Sequence, residues 1–165
     1  MKTLVLIIFC LGSQAAVAQT ISNKAFILGD EKDFVAASCE LLPECDCCSA
    51  ELVLLTISTF AIVDRCVSGD TFYSGSYSIK DSVLTLVFKQ KVVNEEEDET
   101  TNSTKQKLRP FTLKDQTFKI RTCGKESILE SSGDFYKYGV GADEKRFAEL
   151  RQELAKSVAF KMLNK

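Results

Sequence analysis

The sequence predicts a mainly β fold: an antiparallel barrel or half-barrel finished by a C-terminal α-helix. Three observations predict it. From Glu51 onward, short runs rich in β-branched and aromatic residues alternate with Gly, Asp and Ser punctuation. The segments between the runs are mostly short, which favours a meander that curls and closes on itself. After Asp143 the apolar spacing changes to intervals of three and four, the period of a helix lying on a surface.

The first 18 residues stand apart. Met1-Lys2-Thr3 gives a positive start, residues 4–11 form an apolar core, and Ala16-Val17-Ala18 ends a small, polar stretch. This is the pattern of a cleavable signal peptide, with the cut expected after Ala18 and Gln19 at the mature N-terminus. The apolar core is too short to span a bilayer, which takes about 20 residues. Cys10 follows bulky Phe9 very early in the chain, an unsuitable setting for lipidation. The chain is therefore expected to be exported, to a periplasm or the extracellular space, without a transmembrane segment. Cleavage leaves 147 of the 165 residues, enough for one domain over 19–165 with its own core.

Composition removes several function classes. Lys and Arg number 21 against 23 Asp and Glu, so nothing gathers a polyanion and nucleic acid is not an expected partner. There is no His, which excludes Ser–His–Asp and Cys–His catalysis and every zinc site that needs imidazole. There is no Trp, so any stacking platform would use Tyr or Phe.

Taken in order, residues 25–28 form a short apolar run suited to a first strand. Strands are expected at 52–57, 60–63, 71–79, 83–88, 108–113 and 117–121. The stretch from Tyr77 to Leu84 is echoed by Phe111 to Phe118: aromatic, polar, aliphatic, Lys-Asp, two variable residues, then a large apolar one. A hairpin accounts for each, with Lys-Asp opening a tight turn. Residues 94–107 carry five consecutive acids and then Thr, Asn and Ser, which reads as a solvated loop. Asn102-Ser103-Thr104 matters as a glycosylation sequon only in a eukaryotic secretory host. A helix is expected over about 143–163, capped by Asp143, with Phe147, Leu150, Leu154, Val158 and Met162 forming one apolar stripe against the barrel.

The cysteines carry the chemistry. Six of the seven lie in the mature chain, four of them as Cys39, Cys45, Cys47 and Cys48 within ten residues, joined later by Cys66 and Cys123. An even number in an oxidising compartment is what a disulfide framework looks like, and six cysteines allow 15 complete pairings. Cys66 and Cys123 end β segments and are placed to tie strands to each other or to the cluster. The other reading is a soft-metal site: Cys45, Cys47 and Cys48 hold both a C-x-C and a C-x-x-C, and thiolates in a short loop select Cu(I) or zinc. A redox pair is the third, although a thioredoxin-like motif opens a helix and a β run follows here.

The stretch Leu42-Pro43-Glu44-Cys45-Asp46-Cys47-Cys48-Ser49-Ala50-Glu51-Leu52-Val53-Leu54 resembles the opening of the NlpE-like copper-homeostasis proteins, in which Leu-Pro and a C-x-x-C precede the first strand of a lipocalin-like barrel. Gly75-x-Tyr77, followed by Leu84-x-Leu86-x-Phe88, is similar to that barrel's next hairpin. The likeness covers about residues 40–90 and departs from the family at Glu44 and in the extra thiols. It implies a lipocalin-like fold, and Cys45 and Cys48 as a metal or sensing pair with Cys47 as a third sulfur.

Three functions follow as expectations. The first is a non-enzymatic envelope protein that binds copper or senses metal stress through Cys45, Cys47 and Cys48. The second is a disulfide-stapled, lipocalin-like barrel for a small apolar ligand or a protein partner, with Tyr77, Leu84, Leu86 and Phe88 lining the interior. Those four would equally serve as solid core, since small barrels are usually filled by their own side chains. The third is a thiol oxidoreductase, ranked last because there is no histidine base and no nucleophile motif in a recognisable context.

Overall fold

Alternation decides where each strand's side chains go. The computed structural model describes residues 21, 23–42, 49–56, 58–65, 70–94, 106–111, 113–133 and 135–163. In β4 (Ser49–Leu54), Ala50, Leu52 and Leu54 join one buried cluster, while Val53 joins a second on the opposite face. A strand buried on both faces reads as the continuous apolar run seen in the sequence.

The strands before β4 are β1 (Ala25–Gly29), β2 (Phe34–Val35) and β3 (Glu40–Leu41). After it come β5 (Thr59–Arg65), β6 (Thr71–Lys80), β7 (Val83–Asn94), β8 (Gln106–Pro110), β9 (Gln116–Cys123), β10 (Glu126–Glu130) and β11 (Tyr138–Gly141). Eight of these pair antiparallel in a ring, β1-β4-β5-β6-β7-β9-β10-β11, and β11 returns to β1. The sheet is a closed up-and-down barrel, consistent with a lipocalin-like fold. Closure leaves the ring without an edge.

The inner cluster contains Phe26, Leu28, Leu52, Leu54, Phe60, Ile62, Leu84, Leu86, Phe118 and Leu129, with Ile21 packed against them ahead of β1. The outer cluster joins Ala25, Val53, Ala61, Val63, Phe72 and Val92 to the C-terminal helices.

β6 and β7 turn through Asp81 and Ser82, both at positive φ (51° and 59°), the backbone of a type I′ hairpin. This is the tight Lys-Asp turn expected from the sequence. The echo at Phe111 to Phe118 is not a hairpin. β8 and β9 run the same way along one edge of β7, with Pro110 opposite Gln90 and Gln116 opposite Leu86. The connection 111–115 is a detour in one interrupted strand, and Pro110, which has no N–H to donate, is the last residue of the first part. β10 and β11 were not anticipated from the sequence.

The C-terminal segment forms two helices, α1 (Glu144–Lys156) and α2 (Val158–Leu163), where one continuous helix is expected. Ser157 is extended (φ −63°, ψ 129°). Its N–H closes on Glu153 and Leu154 carbonyls, and its hydroxyl accepts from the Phe160 N–H, so it ends one helix and caps the next. The break shifts the phase of the stripe. Leu150 and Leu154 are buried as expected, but Val158 is 66% exposed and Ala159 and Leu163 are buried instead. Among the described residues no helix is long and apolar enough to cross a membrane.

Candidate functional site

The two ends of the barrel differ. At one end the connections are the tight turns 55–58, 81–82 and 124–125. At the other they are the longer segments 30–48, 66–70, 95–105 and 131–137. The turn end is filled by side chains: Ile21, Leu54, Leu84 and Phe118 are fully buried, and the Tyr77 hydroxyl donates to the Thr56 carbonyl. Of the four residues expected to line the interior, Tyr77, Leu84 and Leu86 belong to this packed core. Phe88 extends to the loop end.

At the loop end the character changes. β5 places Phe60, Ile62 and Asp64 at alternate positions, so a carboxylate occupies the inward phase of an otherwise apolar strand. Asp64 is half-buried, and its Oδ2 accepts a hydrogen bond from the Tyr136 hydroxyl at 3.0 Å. Burial pushes the Asp64 carboxyl up from 3.8; the Tyr136 bond opposes this, and the nearby Asp70 charge adds to it. Burial and the Asp64 charge together raise the Tyr136 phenol far above its usual range, and Tyr73 moves the same way for the same reasons. Both hydroxyls therefore stay protonated donors.

Five aromatic rings gather around these groups. Tyr73 meets Phe111 at 5.0 Å and Phe135 at 5.4 Å, and Phe88 meets Phe111 at 5.7 Å and Phe135 at 5.6 Å. Phe135 in turn lies 4.4 Å from Tyr136. Most of these contacts are edge-to-face, the arrangement ring quadrupoles prefer. Lys91 lies with its Nζ 4.8 Å from the Phe111 ring centre.

The connection 131–137 delivers Phe135 and Tyr136, and Gln116 holds it. Gln116 is 4% exposed, and its Nε2 donates to Ser131 Oγ at 2.6 Å and to the Tyr136 carbonyl at 3.0 Å. Gly133 lies close over this amide: a Cβ there would sit 2.7 Å from Gln116 Nε2.

Cys39, at the turn of the β2–β3 hairpin, is bonded to Cys123 at the end of β9, with Cα atoms 5.9 Å apart. The hairpin lies outside the barrel, where Phe34 stacks on Tyr138 at 4.4 Å and Leu41 covers Gly29. One member of the sequence cluster is thus tied to a distant strand. Cys45, Cys47, Cys48 and Cys66, and residues 1–18, lie outside the described residues. Among the described residues no group of three or more His, Cys, Asp or Glu gathers to hold a metal.

Sequence reasoning missed Asp64, Phe111, Phe135 and Tyr136 as a constellation. The signal for Asp64 was present, a charge in the inward phase of 60-62-64. The aromatic loop from Phe135 to Tyr138 was visible, but nothing local said that its first two rings turn into the barrel. Comparison with family models, curated proteins and solved structures gives no match.

Proposed function

We propose that this is an exported binding barrel that takes a small, largely apolar ligand at its loop end, with the ligand's polar head at Asp64 and Tyr136. The observation that carries the reading is Asp64, a carboxylate on the inner face of a closed barrel, hydrogen-bonded to the Tyr136 phenol and close enough to Tyr73 to act on its hydroxyl. Burying such a charge costs stability, and a binding role gives it a reason to be there. Export is supported by the signal-like N-terminus and by a disulfide, which persists in oxidising compartments.

The chain has no Trp and four Tyr, of which Tyr73 and Tyr136 belong to the site, so tyrosine emission reports on occupancy. Titration of the mature chain with a neutral apolar probe such as N-phenylnaphthylamine should change that emission saturably, and Phe88→Ala should weaken the effect. An unsaturable response that Phe88→Ala leaves unchanged would refute the reading.

A second reading is soft-metal binding by Cys45, Cys47 and Cys48. It is supported by their spacing and by the pairing of Cys39 with Cys123, which separates Cys39 from the other three. A free-thiol count with metal analysis of protein isolated without reductant tests it. Protected thiols at these three positions with copper or zinc in proportion would support it; full oxidation without metal would remove it.

A further inference from the structure

We infer that the head group recognised at the loop end is a protonated amine. The inference rests on the binding-barrel reading and narrows it. Asp64 uses Oδ2 to accept from Tyr136, and among the described residues no cationic side chain pairs with it. A half-buried carboxylate in this state lacks the partner that would repay its lost hydration. An ammonium supplies one, with an N–H for the second carboxylate oxygen. The body of such a ligand would cover the rim of the aromatic cluster, where Phe111, Phe135 and Tyr136 are only partly buried.

The rings favour the same charge. The faces of Tyr and Phe attract cations, and the cluster already holds one in that way, the Lys91 ammonium over Phe111. The charged groups that act on Asp64 and Tyr136 include Asp70 and Asp30, both acidic, while Lys91, with its ladder neighbour Arg109, lies by Phe111. An anionic head placed at Asp64 would meet two carboxylates. The competing arrangement is an anionic head at Lys91, and it predicts the opposite preference.

Three probes sharing one body separate these cases: phenylbutylamine, phenylbutanol and phenylbutanoate, titrated by calorimetry into the full mature chain at neutral pH. The amine should bind about tenfold tighter than the alcohol, with the carboxylate weakest. Asp64→Asn should abolish the preference for the amine over the alcohol, and a cooperative thermal unfolding transition shows that the variant is folded. Lys91→Met should keep the preference. Equal binding of amine and alcohol, tightest binding of the carboxylate, or an amine preference that survives Asp64→Asn overturns the inference and leaves the barrel reading standing. If none of the three binds, both fall.

Discussion

Glu51 and Arg146 stand 95 residues apart in the chain, and two hydrogen bonds join them on the outer wall of the barrel: Nε to Oε1 at 2.6 Å and Nη2 to Oε2 at 2.7 Å. Arg65 also donates to Glu51, and it reaches Glu153 on α1 at 2.6 Å. The network fastens the helix to β4 and β5 beside the apolar contacts of Leu150 and Leu154.

Burial alone would raise the Glu51 carboxyl, but the two guanidiniums outweigh it and hold it below 4.5. Its contribution is therefore fully present above about pH 4.5 and is lost as the pH falls through the lower folded-state value. Glu51→Ala would leave two guanidiniums facing each other without their shared partner. Urea unfolding at neutral pH should show a loss of about 2–4 kcal/mol, reduced from the cost at a fully buried pair because both arginines are partly solvated. The difference from the parent chain should shrink in acid.

Asp64 has the opposite sign. Its folded-state carboxyl is raised above 3.8, so the charged form costs stability at neutral pH and the cost is relieved as the pH falls through the raised value. Asp64→Asn keeps an acceptor for Tyr136 and removes the charge. Thermal unfolding at neutral pH should show a higher midpoint than the parent, with the gap closing in acid. A lower midpoint would make Asp64 a structural residue.

Ser82 holds φ 59° in a two-residue turn where Gly is at ease. Ser82→Gly should stabilise the protein by about 1 kcal/mol by removing the strain of a side chain in the left-handed region. Equilibrium denaturation checks this, and no gain would mean that the hydroxyl offsets the strain.

The disulfide offers a prediction of its own. Cys39 and Cys123 are 84 residues apart, and replacing both by Ser should cost about 4 kcal/mol on the chain-entropy account. Equilibrium denaturation of the double variant checks the cost. Non-reducing peptide mapping should recover Cys39 joined to Cys123, and recovery of either as a free thiol would refute the pairing.

The β character of the chain was legible because most strands are apolar on at least one face and are punctuated by turns. The hairpin at Asp81 was legible for the same reason. β11 was hidden because two of its four residues, Tyr-Gly-Val-Gly, are glycines, which weaken a strand signal. Gly139 is there because a Cβ would lie 3.1 Å from Leu28 and 3.2 Å from Leu129, a demand made by barrel closure that no local window contains. The helix stripe was legible as far as Leu154. Beyond it, Ser157 caps a second helix, and a serine within a periodic pattern does not reveal that role. The loop-end cluster draws on β5, β6, β7 and the two connections around residues 111 and 135, so its parts were readable and their meeting was not.

The bond between Cys39 and Cys123 encloses β3 through β9, which include most of the barrel wall. A protease that cuts the backbone once anywhere between those two residues yields two fragments that remain covalently one molecule. In a compartment containing both proteases and oxidants, such a nicked chain would keep its strands within reach of one another and could persist as a barrel, its damage visible only after reduction.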